Sequence, residues 1–286
     1  MAVAGTLGRI TRSSRRTRGR TDPLMVASIV VVGAIAAFAV LGPFLTRYEP
    51  NAIDILAANQ APSVDHWLGT DVLGRDIFSR LAHGAARSLA AAAVVTVLAT
   101  TLGTVLAVAA GWKGGRFDRV LARVLDVAFA FPGLLFAILA VAVLGLGITA
   151  PVIALTIAFT PYVARLLRSV TLRQRHLPYI ESCQLLGYSA WRTNTRHLLP
   201  SIRLFIVAQA TLTFGYALLD LAAISFIGLG VQPPEAEWGL MVASGAPALI
   251  NGDPWEVLFA GLAIVVTVVA CNVLGERLAA RAEERS

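Results

Sequence analysis

The chain has 286 residues, of which 57% are hydrophobic and 14% charged, with a mean hydropathy of +0.72. A soluble domain carries roughly a quarter charged residues, so this composition excludes an ordinary water-soluble domain and leaves an integral membrane protein. The net charge is +7 and all but one of the cations are Arg, but they gather between apolar runs, which argues against nucleic acid as a partner.

Apolar runs long enough to cross a bilayer as helix predict six spans. In chain order they cover about 24–46, 86–111, 119–145, 149–171, 200–228 and 254–278. The Arg-rich tail 1–22 precedes the first. The run after it is too long for a signal-peptide core and is followed by no clear small-x-small cleavage site, so a retained helix is expected. Residues 23–84 then hold the first helix and a long polar segment. Residues 85–286 hold the remaining five helices and a polar loop at 172–198.

Loop charge fixes the expected orientation. Cations crowd the tail, the second–third connection (Lys113, Arg116, Arg119, Arg123), the fourth–fifth connection (Arg165, Arg168, Arg173, Arg175, Arg192, Arg196) and the C-terminus (Arg277, Arg281, Arg285). Residues 229–253 carry Glu235, Glu237 and Asp253 and no cation. The positive-inside rule then places both termini in the cytoplasm. The runs lack the period-two alternation of a barrel strand. Lipid offers the backbone no water, so each run must bond internally as helix. The expected fold is an all-α membrane protein of six spans. Gly103, Ala107, Ala110 and Gly111 lie along the second span and permit close helix approach, although most of the Ala reflects composition. Cys183 and Cys271 should lie at different membrane depths, so no disulfide is expected, and neither Cys nor His is spaced as a metal site.

The fourth–fifth loop contains Tyr179-Ile-Glu-Ser-Cys-Gln-Leu-Leu-Gly187, followed by His197-Leu-Leu-Pro200. Pro178 suits the first helical position. Glu181 falls in the first turn, where the helix dipole favours an acid. Gly187 can close the helix in a left-handed cap. A second short helix at about 189–196 should lead to Leu199-Pro200. An amphipathic loop resting on lipid and a segment offered to a partner protein both fit this pattern.

The polar segment before the second span ends in Leu68-Gly-Thr-Asp-Val-Leu-Gly-Arg-Asp-Ile-Phe-Ser-Arg80. If helical, it would face Asp71 with Arg75 and Asp76 with Arg80. Asp126 is expected to pair locally with Arg123. Pro132 should kink the third span. Asp220 is the one acid deep in a predicted span. It needs a partner or a wet cavity, so it is either a hydrogen-bonded packing site or part of a translocation path that attracts a cationic group.

The loop with Glu181 and Gly187 resembles the "EAA" loop of ABC importer membrane subunits, with Ser182 and Cys183 where that family has two Ala. The string Gly69, Thr70, Asp71, Gly74, Arg75, Asp76, Ser79, Arg80 resembles the "GTDxxGRDxxSR" signature of the second membrane subunit of dipeptide, oligopeptide and nickel importers. Phe131-Pro-Gly-Leu-Leu135, Ser225–Pro234, Glu237-Trp-Gly239 and Asn272–Glu276 extend the resemblance over nearly the whole chain. It implies a permease subunit of the bacterial inner membrane that passes di- or oligopeptides, with nickel or glutathione as alternative cargo. It also implies an ATPase-docking loop at Tyr179, Glu181, Ser182, Cys183, Leu186, Gly187, Trp191, His197 and Pro200. An external signature at 69–80 completes the implied site residues; the path near Asp220, Phe131 and Pro132 is read from the buried acid itself, since the family's acid aligns with Leu221. The implied partners are a homologous second permease, two ATPase subunits or domains that bind ATP and Mg2+, an external substrate-binding protein, and lipid. No phosphate loop (GxxxxGK[ST]) occurs in the chain, so it should not be an ATPase itself, and it should carry no cofactor or metal. A secondary transporter would show internal repeats and deep charges, and a membrane hydrolase would show a Ser–His or Cys–His dyad; neither pattern is evident.

Overall fold

The computed structural model describes residues 22–129 and 132–284. Among them the only regular structure is helical. The long apolar helices are α1 (Pro23–Leu45), α2 (Ile77–Lys113), α5 (Thr149–Arg175), α8 (Leu199–Phe226) and α10 (Trp255–Glu284). Between them lie α3 (Gly115–Phe129), α4 (Gly133–Leu144), α6 (Pro178–Leu185), α7 (Ala190–Thr193) and α9 (Trp238–Ile250).

Three boundaries differ from the sequence expectation. Helix α2 starts at Ile77 rather than near 86, because the Asp76 carboxylate caps it by accepting the Ser79 amide at 2.8 Å. The third span is two helices, α3 and α4, inclined at 81°. Pro132 is extended (φ −60°, ψ 131°) immediately before α4, and a proline can neither donate to the preceding turn nor leave its neighbour in helical geometry at low cost. The expected second loop helix at 189–196 is not a separate unit. Helix α7 runs through a π turn, Asn194–Leu198, directly into α8.

Helices α2, α5, α8 and α10 form the packed centre. The buried positions of α2 include Ala85, Ser88, Ala92, Val95, Ala99, Gly103, Ala107 and Ala110, a nearly all-small seam recurring every three to four residues. In lipid there is little apolar driving force between helices, so close backbone approach across such seams holds a bundle together. Gly103 abuts Val163 and Ala164 of α5, and Gly111 abuts Thr171. Those two contacts make α2 and α5 parallel. Gly215 abuts Asn272, and Gly275 abuts Leu212, so α8 and α10 are antiparallel. Val30, Val40, Phe44, Val97, Val143 and Val265 stay exposed on the outer faces, as side chains facing lipid do.

These directions sort charge. Asp22, at the start of α1, pairs with Arg277, near the end of α10, at 3.1 Å. Arg175, at the end of α5, donates to the Gly111 carbonyl at the end of α2. Arg168 forms a fork on Asp118. The described Arg-rich connections therefore share one end of the bundle. The opposite end carries the 46–76 segment, the 227–237 connection and the starts of α2 and α10.

Candidate functional site

Helix α6 is built as its sequence suggests. Pro178 opens it, Glu181 lies in the first turn, and Ser182 Oγ donates to the Pro178 carbonyl at 2.8 Å. Gly187 has φ +76°, a conformation that costs an L side chain energy but glycine little. The following Tyr188 amide returns to the Cys183 carbonyl at 3.0 Å, closing the helix end. Ser189 caps α7, accepting from the Arg192 amide at 3.3 Å. Ile180 and Cys183 point inward, as does Leu198 from the π turn. Tyr188 stacks with His197 at 6.1 Å, and the Arg192 guanidinium lies 4.4 Å from the Tyr188 ring. Pro200 sits in the first turn of α8.

The outer face of this unit is unusual for a polar loop. Leu185, Leu186 and Trp191 are 89%, 73% and 79% exposed, beside half-exposed Tyr179 and exposed Glu181. Three large apolar side chains and an acid of this short unit are thus turned away from the bundle. Sequence reasoning singled out Tyr179, Glu181, Leu186 and Trp191 but missed Leu185, which only the helix register shows to be outward.

The signature residues form a knot at the opposite end. The stretch from Gly69 to Asp76 is a tight turn, not a helix. Asp71 accepts from the Leu73 and Arg75 amides at 2.8 and 2.9 Å and from Arg75 Nε at 2.6 Å. Asp76 does not face Arg80; besides capping α2 it contacts His66 Nδ1 at 2.9 Å. Thr70 Oγ1 donates to the Ala57 carbonyl and accepts from the Gln60 amide. Gly69 and Gly74 have φ of +84° and +74°, and a Cβ at either would strike the backbone of Gln60 or Asp54. Arg80 turns its guanidinium to Pro50, Asn51 and Pro234, with Asp71 at 3.6 Å. Buried Ser79 abuts this region, and its carbonyl contacts His83. Glu256, buried at the start of α10, accepts from Ser244 Oγ at 3.2 Å. Nearby, Glu237 caps α9 through the Gly239 and Leu240 amides and accepts from Ser88 Oγ at 2.9 Å. The Trp238 indole donates to the Leu81 carbonyl at 3.0 Å. These residues join chain segments together.

A third group lies within the bundle. Asp220 and Tyr216, one turn apart on α8, face Phe159 and Tyr162 of α5, Phe129 of α3, and Pro132 and Gly133 at the α3–α4 break. They enclose a cleft of about 380 Å3. Asp220 and Pro132 are thus brought together as the sequence suggested, while Phe131 lies outside the described residues. The aromatic partners were missed, although Tyr216 stands four residues before Asp220. Asp126 pairs with Arg165 of α5 at 3.6 Å, not with Arg123.

The bundle and its apolar exterior define a polytopic helical membrane protein. Comparison with known families makes this specific. Residues 99–286 match the family described as binding-protein-dependent transport system inner membrane component, and residues 16–62 match the N-terminal TM domain of oligopeptide transport permease C. The chain belongs to this family of ABC importer permeases and is a multi-pass inner-membrane subunit. It is 38% identical over 267 residues to a putative peptide transport system permease of Brucella suis biovar 1, covering 93% of this chain and 88% of that one. It is 36% identical to a probable D,D-dipeptide transport system permease of Escherichia coli K12 (89% and 85% covered). It is 40% identical to a glutathione transport system permease of Pectobacterium atrosepticum (88% and 84% covered). Among solved structures, an inward-facing form of the MetNI methionine ABC transporter matches with a TM-score of 0.54 at 17% identity, covering 72% of this chain and 96% of that one; at that identity the likeness concerns the fold.

Proposed function

We propose that the chain is one of two homologous membrane subunits of an ATP-driven peptide importer, with both termini in the cytoplasm. Helix α6 and the α7 turn are the ATPase-docking surface. ATP and Mg2+ are bound by ATPase partners, and an external binding protein delivers cargo to a path shared with the second permease. The observation that carries this reading is α6 itself. It is a short helix closed by left-handed Gly187 at the Arg-bearing end of the bundle, presenting Glu181, Leu185, Leu186 and Trp191 without a partner among the described residues. Positive-inside statistics put that end in the cytoplasm, where an ATPase works. The peptide, dipeptide and glutathione names of the relatives support a peptide-like cargo.

The test is reconstitution of the chain with its paired permease, ATPases and binding protein in proteoliposomes. Wild type should accumulate peptides only with ATP. Glu181→Lys should abolish coupling while the subunit still inserts. Normal uptake by Glu181→Lys, or ATP turnover by the purified chain alone, would count against the assignment.

A further inference from the structure

We infer that the Asp220 cleft is a subsite for a primary ammonium group, the free amino terminus of the cargo; this rests on the peptide-importer reading above and deepens it. A carboxylate in a membrane helix is costly unless paired or wet. Asp220 has no hydrogen-bond or ion-pair partner among the described residues, and it borders open space rather than a packed interface.

The walls around Asp220 have a matching chemistry. Four aromatic rings, Phe129, Phe159, Tyr162 and Tyr216, line the same cleft. Phe129 and Tyr162 are stacked nearly parallel, with centroids 6.3 Å apart and planes 15° from each other. Aromatic faces attract cations, more strongly where water is scarce. One of these rings already does so, since the Arg165 guanidinium lies 5.9 Å from the Phe129 centroid. A single carboxylate among aromatic faces suits a compact cation with an apolar body. The break between α3 and α4 leaves Pro132 and side-chain-free Gly133 at the wall, and about 380 Å3 of space falls within the range of small-ligand sites. Such a site needs only weak affinity, because a transported group must leave as readily as it enters.

The complete importer in proteoliposomes provides the test. The probe is an equimolar pool of dipeptides and their isotopically marked N-acetyl derivatives, with ATP-driven accumulation read by mass spectrometry. Wild type should favour free-amine peptides over acetylated ones. In Asp220→Asn that ratio should fall by about tenfold or more, the scale of one lost charge-assisted hydrogen bond, while Asp220→Glu should retain most of it. Tyr216→Leu, which keeps the charge and removes one aromatic face, should lower the ratio by a smaller factor and remains readable if Asp220→Asn fails to assemble. An equal loss of both peptide classes, or an unchanged ratio in Asp220→Asn, would overturn the subsite and leave the importer standing. A wild type that accumulates no peptide would overturn the peptide-importer reading and this inference with it.

Discussion

Arg80 Nη1 donates to the Pro234 carbonyl at 3.3 Å, joining positions 154 residues apart. The same nitrogen reaches the Pro50 carbonyl at 3.2 Å and Asn51 Oδ1 at 3.3 Å, and the residue is only 1% exposed. Two distant segments, 50–51 and the one at Pro234, thus share one guanidinium of α2. Breaking a buried charged network costs about 3–5 kcal/mol, so Arg80→Ala should lower the detergent-solubilised protein's melting temperature strongly. Arg80→Lys should recover little, because the lysine nitrogen stops one bond short of the Nη1 position and leaves nothing in place of Nε beside Asp71. Thermal unfolding decides this; a wild-type melting point for Arg80→Ala would mean the knot contributes nothing.

A Cβ at Gly103 would lie 2.7 Å from Val163 Cγ1 and 3.0 Å from the Ala164 nitrogen. Gly103→Ala should therefore destabilise by roughly 1–3 kcal/mol, the usual cost of overpacking. Val163→Ala should recover part of that loss in the double variant. Strict additivity of the two substitutions would show that α2 and α5 do not meet there.

Leu185 and Trp191 are largely exposed, so replacing both with Glu should alter subunit stability by no more than about 0.5 kcal/mol each. Co-purification with the ATPase partners should nevertheless collapse. Measuring retained ATPase and melting temperature on the same preparation separates docking from folding. Full retention of ATPase would move the docking surface elsewhere.

The Asp22–Arg277 pair is partly exposed on both sides, and such pairs are worth about 0–1 kcal/mol. A double-mutant cycle with Asp22→Asn and Arg277→Gln should give a coupling energy in that range, shrinking as salt is raised. A much larger value would show a buried pair.

The spans were readable because lipid forces long apolar runs into helix. Pro178, Glu181 and Gly187 were readable because local chemistry decides caps. What escaped depended on distant residues or on competition between local signals. Asp76 offered both an i,i+4 partner and a cap, and the cap won. Arg80 spends its donors on Pro50, Asn51 and Pro234, which no spacing rule connects. Pro132 announced a distortion, but a kink and a full break share one sequence signature. The expected pause before Pro200 is absent because the π turn carries the helix across it. For Asp220, sequence marked the acid; the aromatic walls come from α3 and α5 and become visible only after folding.

That unbroken passage from α7 into α8 has a mechanical consequence. At 1.5 Å per residue, Trp191 and Asp220 stand roughly 43 Å apart on a single stiff rod. Tilting its α7 end by a few degrees would swing the acid through several ångströms, with the wide turn at 194–198 as the intervening joint. Nucleotide-driven closure at the surface would then reposition the cleft by leverage alone.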